Sequence, residues 1–148
     1  MVKIFHKNIE YRLPSQVLVK QWIRGVLEGY GEKEGRIQVI LTDDTFILEM
    51  NRNFLGHDYY TDIITFDTSD YPESPKDAIS GELYISVDTV RANAEEYGST
   101  FPEEMHRVII HGVLHLIGFD DHEPEDIQQM RNAEAQALAQ LKDYGITI

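Results

Sequence analysis

The sequence predicts an α+β fold in which about five helices pack on a small, mixed, four-stranded sheet. Four short segments are rich in β-branched or alternating apolar residues, and five longer ones place apolar residues at helical spacing. In chain order these segments are strand, helix, strand, helix, two strands and three helices. Because no internal repeat or Pro/Gly/Ser-rich linker divides the chain, residues 1–148 are predicted to form a single domain.

The first half of the chain contains two predicted strands and two predicted helices. "KIFHKNI" (residues 3–9) is predicted to be a short strand. Residues 16–30 are amphipathic at helical spacing, and Gly29 and Gly31 help to end that helix. "RIQVIL" (36–41) alternates as a strand does, and Thr42 or Asp43 then caps a helix that extends to about residue 54.

The second half begins with two strands. "TDIITF" (61–66) is β-branched and apolar, which predicts a strand buried on both faces. Residues 67–80 contain two prolines and many turn formers, so an exposed loop is expected before the strand "GELYIS" (81–86).

Three helices complete the predicted order. Asp88 is predicted to cap the first of them, which Gly98 ends. The next begins at Thr100 and Pro102 and ends near Gly118, and the last covers residues 124–141.

Composition excludes several classes of protein. The chain has 148 residues and no cysteine, so disulfides and thiolate metal sites are impossible and any metal must bind His, Asp, Glu or backbone oxygens. No apolar run approaches the roughly 18 residues that span a bilayer. The N-terminal residues lack the apolar core of a signal peptide, so a cytoplasmic location without membrane association is expected.

The net charge of −13 argues against a nucleic-acid partner, but the charge is unevenly distributed. Residues 1–42 carry seven lysines and arginines against four acidic residues, whereas residues 43–148 carry six against 22. This basic part can form a surface that faces phosphates. The simpler interpretation is a set of solvated cations on an amphipathic helix.

The segment "HGVLHLIGFDDH" (111–122) carries the strongest functional signal. His111 and His115 are four residues apart on a predicted helix, so their imidazoles lie on one face and can bind the same ion. Gly118 then allows a sharp turn that brings Asp121 and His122 toward that face. Two histidines, a third protein ligand and a water form the pattern of a catalytic zinc site. The alternative is a pair of partly buried histidines with satisfied hydrogen bonds.

This segment resembles the signature of the YbeY family, H-G-x-L-H-L-x-G-[YF]-D-H, whose members are bacterial metal-dependent endoribonucleases of ribosomal RNA maturation. "NRNFLGHDYYTDIITFD" and "GELYIS" are similar to two further segments of that family, and the likeness covers about residues 35–138. The resemblance implies a zincin-like metal helix with one Zn²⁺ (other divalent ions are possible) and a single-stranded RNA substrate. It also implies the small ribosomal subunit and ribosomal or assembly-factor proteins as partners.

The sequence departs from the family pattern in two places. The family's third histidine falls ten residues after the first, where this chain has Asp121, and His122 is one position further on. The spacing of the family motif favours Asp121 as the third ligand, whereas the preference of zinc for histidine favours His122. Of the two, we favour Asp121. The family arginine near the active site aligns with Leu55, so a cation for the phosphate must come from elsewhere, with Arg52 as the nearest candidate.

Two other functions remain open from the sequence. A zinc-dependent hydrolase of peptides or small molecules is weakened by Gly112, which stands where zincins carry the glutamate that protonates the leaving amine. A base from the end of a neighbouring strand would restore that hypothesis. The second alternative is a non-catalytic ribosome-assembly factor with a structural zinc, which predicts a closed four-ligand site.

Other polar and aromatic residues are predicted to be structural. His57 and His106 are interpreted as surface or helix-packing residues rather than ligands. Tyr59 and Tyr60 are expected to pack hydrophobically, with base stacking as the alternative. The acidic residues within 123–134 are expected to form a solvated helix face.

Overall fold

A mixed four-stranded sheet forms the centre of the computed structural model, which describes residues 1–56 and 61–148. The strands are β1 (Val2–His6), β2 (Glu34–Thr42), β3 (Ile63–Asp67) and β4 (Ile79–Ser86), in the order β1-β2-β4-β3. The β1–β2 and β2–β4 pairs are parallel, and β3 runs antiparallel to β4. The predicted α+β class and mixed sheet are therefore confirmed. The predictions for His57, Tyr59 and Tyr60 lie outside the described residues.

Five α-helices accompany the sheet in the predicted order. They are α1 (Gln16–Gly29), α2 (Asp44–Met50), α3 (Val87–Tyr97), α4 (Phe101–Ile117) and α5 (Pro124–Ala139). A π-helical turn (Asn51–Leu55) extends α2, and a 3₁₀ turn (Leu141–Tyr144) follows α5. Among the described residues, none of these helices combines the length and apolar character needed to cross a bilayer.

Apolar residues cover both faces of the sheet, and α4 lies on the more deeply buried face. The main core combines α1, α4 and α5 with alternate residues of the central strands, among them Val39, Leu83 and Ile85. A smaller cluster on the opposite face joins Ile47 of α2 to Ile64 of β3. The residues of α4 that face the sheet are therefore fixed by packing, which holds the opposite side of the helix in a defined position.

Two local predictions are wrong. Residues 61–66 were expected to form a strand buried on both faces, but β3 is an edge strand and Ile64 is its one buried residue within the described sheet. Asp88 was expected to cap α3, but the Oγ atom of Ser86 does so by accepting a hydrogen bond from the Thr89 amide at 3.2 Å. The Asp88 carboxylate instead accepts one from the Asp44 amide at 3.1 Å, at the start of α2.

Candidate metal centre

Helix α4 carries both histidines of the predicted metal site. The Oγ1 atom of Thr100 accepts a hydrogen bond from the Glu103 amide at 3.2 Å and so caps the helix, and acidic residues in the first turn favour this end. The apolar residues of α4 pack in the core, whereas His111 and His115 remain partly exposed beside β3.

Gly118 reverses the chain at the end of α4. Its φ of 125° lies in the region that favours glycine. The Phe119 amide reaches back to the Leu114 carbonyl at 3.0 Å, which closes the turn. Asp121 consequently lies against the face of α4 that carries the two histidines.

Three potential ligand atoms converge at this turn. The Nε2 atoms of His111 and His115 are 3.1 Å apart, and Oδ2 of Asp121 lies 3.4 Å from the first and 3.3 Å from the second. Ligands bound tetrahedrally at the usual zinc distances of about 2.0–2.1 Å are separated by about 3.3 Å. The donor set His, His, carboxylate and its spacing therefore fit a zinc ion.

His122 lines the same cleft but is not one of the three converging ligands. Its side chain is 81% exposed, and its Nε2 lies 3.3 Å from Oδ1 of Asp120. Asp120, Asp121 and His122 also lie close enough together to share an ion, but this second group is more exposed. Of the two candidates for the third ligand, the structure brings Asp121 to the paired histidines.

Both histidines of α4 have a hydrogen-bond acceptor on the nitrogen that faces away from the cluster. Nδ1 of His111 is 2.6 Å from Oε2 of Glu134, and Nδ1 of His115 is 3.0 Å from the carbonyl oxygen of Phe119. An ionised carboxylate and a carbonyl can only accept, so each Nδ1 donates and each Nε2 keeps a lone pair for a metal. This arrangement of outer hydrogen bonds is typical of metal-binding histidines.

Glu134 was predicted to belong to a solvated helix face, and this is wrong. Glu134 is 2% exposed, and its Oε1 accepts hydrogen bonds from Arg107 at 3.2 Å and Arg131 at 3.1 Å. Burial alone would raise the pKa of Glu134, but the hydrogen bond to His111 and the charges of Arg107 and Arg131 outweigh it and lower that pKa. The buried carboxylate is therefore ionised and fully paired.

Arg107 ties this carboxylate to a second one. Its guanidinium donates to both oxygens of Glu104, at 2.8 Å and 2.7 Å, as well as to Glu134. The hydrogen bonds to Glu104 are the main reason that the pKa of Arg107 is raised, so its charge is permanent. A salt-bridge network of α4 and α5 therefore supports His111 from behind.

An open cleft of about 460 Å³ lies in front of the histidines. Its wall includes Asp62, Thr65 and Asp67 from β3 and the residues just before it. Burial raises the pKa of Asp62 above its ordinary value, although Arg107 and His111 act in the opposite direction. Asp62 is thus a carboxylate at a strand end beside the cluster, in the position that the peptide-hydrolase hypothesis requires for its base.

Gly112 faces the sheet rather than the cleft. A Cβ atom at this position would lie 2.7 Å from Cδ1 of Ile63 and 2.9 Å from Cδ2 of Leu83. The glycine therefore permits close packing of α4 on β3 and β4, and a glutamate here would be buried between helix and sheet.

The remaining predicted residues occupy structural positions or lie apart from the cluster. His106 is buried at 3% exposure and packs against Trp22, which confirms its predicted helix-packing role. Leu55, which by the resemblance stands at the position of the family arginine, is exposed in the turn that follows α2. Arg52 lies in the same turn and has an interaction partner of its own.

Fold and site together define the class: an α+β protein whose central helix and following turn form a candidate metal centre of two histidines and a carboxylate. A model of the endoribonuclease YbeY family matches residues 4–142. The chain therefore belongs to the YbeY family.

Individual relatives agree with this assignment. The chain is 50% identical over 119 residues to an endoribonuclease YbeY of Bacteroides thetaiotaomicron, covering 80% of this chain and 83% of the relative. It is 46% identical over 142 residues to one of Parabacteroides distasonis, covering 96% of each. The solution structure of TM1509 from Thermotoga maritima has a TM-score of 0.65 at 26% identity, covering 95% of this chain and 89% of that one.

Proposed function

We propose that this chain is a metal-dependent endoribonuclease that cleaves single-stranded ribosomal RNA during ribosome maturation, with one zinc ion held by His111, His115 and Asp121. The observation that carries the proposal is the convergence of three ligand atoms within 3.4 Å of one another, on the segment that bears the family signature. Membership in a family of endoribonucleases supports RNA as the substrate.

The residues around the cluster have separate roles in this proposal. His111 and His115 present their Nε2 atoms to the metal, and Glu134 and the Phe119 carbonyl keep both rings in the required tautomer. Bound zinc supplies a Lewis acid for a phosphoryl oxygen and makes a nucleophilic water available near neutral pH. The open cleft beside β3 leaves room for the RNA backbone.

The donor set favours a catalytic over a structural metal. A zinc ion held by these three residues would remain open to water or substrate, whereas a structural zinc is surrounded by four protein ligands. Because His122 is directed to Asp120 and is largely exposed, it supplies no fourth ligand in this arrangement. The non-catalytic assembly factor, which needs a closed site, is therefore less well supported.

The proposal extends to partners and location. In it, residues 1–148 act as one domain, because the main core joins α1, the sheet, α4 and α5. The net charge of −13 weakens long-range attraction to RNA, so docking on the small ribosomal subunit through ribosomal or assembly-factor proteins is part of the proposal. A ribosomal RNA substrate also implies a cytoplasmic location.

The direct test is cleavage of a labelled single-stranded ribosomal RNA segment, with the same segment annealed to its complement as comparison. Protein as purified should cleave the single strand, lose activity after chelation and regain it when zinc is restored. His115→Ala should be inactive and His122→Ala active. Hydrolysis of peptides without RNA cleavage would instead favour the alternative in which Asp62 acts as the base.

A further inference from the structure

The cleft in front of the paired histidines is poor in positive charge. Asp62, Asp67 and Asp121 line it, and none of its described lining residues is a lysine or an arginine. A phosphodiester that approaches the cluster from this side therefore meets several carboxylates. Apart from the metal and its histidines, the described lining of the cleft offers no side-chain cation to an RNA backbone, so we looked for a permanent positive charge at its rim.

Arg131 lies at that rim. A second cavity of about 190 Å³ shares His111 and Asp121 with the cleft, and Arg131 is the one cation among its described lining residues. The Arg131 side chain is 58% exposed and is anchored through Nη1 to Oε1 of Glu134, whose other oxygen contacts His111. This contact places the guanidinium beside the metal ligands.

Most of the hydrogen-bonding capacity of Arg131 is unused within the described part of the chain. A guanidinium has five N–H donors, and the contact with Glu134 occupies one nitrogen. By contrast, Arg107 is 20% exposed and both sides of its guanidinium are occupied by Glu104 and Glu134. Of the two arginines beside the cluster, Arg131 is the one that can bind a ligand.

Glu134 does not depend on Arg131 for charge balance. Arg107 contacts the same Oε1 atom at 3.2 Å, and His111 contacts Oε2. Neutralising Glu134 therefore does not explain why an exposed arginine lies at the metal centre. Because Arg107 and His111 already pair with this carboxylate, we interpret Arg131 as a ligand-binding residue rather than a second support for Glu134.

We propose that Arg131 binds a phosphate of the RNA strand adjacent to the metal centre and so supplies the cation that the cleft lacks. The inference rests on the proposed function, because it requires an RNA substrate. A planar guanidinium suits this role because it can donate two parallel hydrogen bonds to the non-bridging oxygens of one phosphate. Arg131 is then a substrate-binding residue that contacts the backbone and reads no base.

The test compares Arg131→Gln and Arg131→Lys with the wild type on a single-stranded RNA oligonucleotide. Arg24→Gln is the matched control, because Arg24 is also exposed and also pairs with a glutamate, Glu34, at 3.1 Å. KM and kcat are measured over a range of NaCl concentrations, and zinc content is measured for every variant. The dependence of log KM on log salt reports the number of phosphate contacts.

Arg131→Gln should raise KM about three- to tenfold with little change in kcat, and should reduce the salt slope by about 0.7, the value for one phosphate contact on a single strand. Arg131→Lys should retain most of the slope. A KM and slope equal to those of Arg24→Gln would overturn the inference, and so would a loss of zinc, which would make Arg131 a support of Glu134. A wild type that cleaves no RNA would overturn the proposed function as well.

Discussion

Glu134 and His111 are 23 positions apart in the sequence, yet Oε2 of the glutamate lies 2.6 Å from Nδ1 of the histidine. This contact joins α5 to α4 directly behind the candidate metal centre. It also fixes which nitrogen of His111 faces Asp121 and His115. The orientation of this candidate ligand therefore depends on the packing of α5 against α4.

Glu134→Gln should therefore weaken zinc binding about 10- to 100-fold, because the neutral amide no longer stabilises the donating form of His111. The measurement is competition for zinc with a chromophoric chelator. Glu104→Gln is the control, since Glu104 is equally buried and also pairs with Arg107 but has no hydrogen bond to the metal histidines. Equal losses of zinc affinity in both variants would contradict a specific role of Glu134.

Gly118→Ala should reduce both stability and zinc affinity. At φ 125° an alanine costs on the order of 1–3 kcal/mol of unfolding free energy, and relief of that strain displaces the turn that carries Asp121. Gly98→Ala places a similar strain after α3, where φ is 70°, and should lower stability while zinc affinity stays the same. Unchanged zinc binding in Gly118→Ala would mean that the turn does not position a ligand.

Gly112→Ala should destabilise the fold without affecting the metal ligands directly. Overpacking against Ile63 and Leu83 costs about 1–3 kcal/mol, which exceeds the gain of about 1 kcal/mol in helix propensity. Gly29→Ala, where an added Cβ meets open space, is the control and should be nearly neutral. Urea unfolding measures both.

Gly112→Glu provides a sharper form of the same test. Its carboxylate would be buried between α4 and the sheet, so we expect the variant not to fold. A folded Gly112→Glu protein that hydrolyses peptides would show that residue 112 can reach the cleft, contrary to the packing described here.

His106 should make the protein less stable in mild acid. Burial lowers the pKa of His106 below its ordinary 6.5, although the hydrogen bond that its Nδ1 donates to the Pro102 carbonyl oxygen acts in the opposite direction. The unfolded chain therefore takes up the proton first. Its stabilising contribution is complete above pH 6.5 and is lost as the pH falls from that value through the pKa of the folded state. The free energy of unfolding of His106→Gln should then fall less between pH 7 and pH 5 than that of the wild type.

His122→Gln is the control for removal of a histidine as such, because the His122 side chain is 81% exposed. Urea titrations at pH 7, 6 and 5 provide the comparison. Parallel pH dependences in the wild type and His106→Gln would contradict the effect of burial on His106.

Local signals in the sequence were sufficient to predict the helix that carries the site. Thr100, Pro102 and Gly118 mark the ends of α4, and the four-residue spacing places His111 and His115 on one face. The order of the nine elements also followed from local pattern. These features depend on residues that are close together in the chain.

Features that depend on distant residues were missed. The β-branched composition of residues 61–66 does not reveal that β3 occupies an edge, because strand order is set by pairing with β4. Glu134 was assigned to a solvated face, although it falls among the buried positions Met130, Ala133 and Ala137 at helical spacing. A carboxylate within an apolar stripe was the signal that would have identified it.

The most direct test of the metal centre is the zinc content per chain of untagged protein purified without added metal, measured for wild type, Asp121→Ala and His122→Ala. We expect close to one zinc in the wild type and in His122→Ala, and a loss of zinc in Asp121→Ala, because Asp121 lies within 3.4 Å of both histidine nitrogens. Loss of zinc in His122→Ala but not in Asp121→Ala would identify His122 as the third ligand. A wild type that neither contains nor takes up a divalent metal would contradict the metal centre itself.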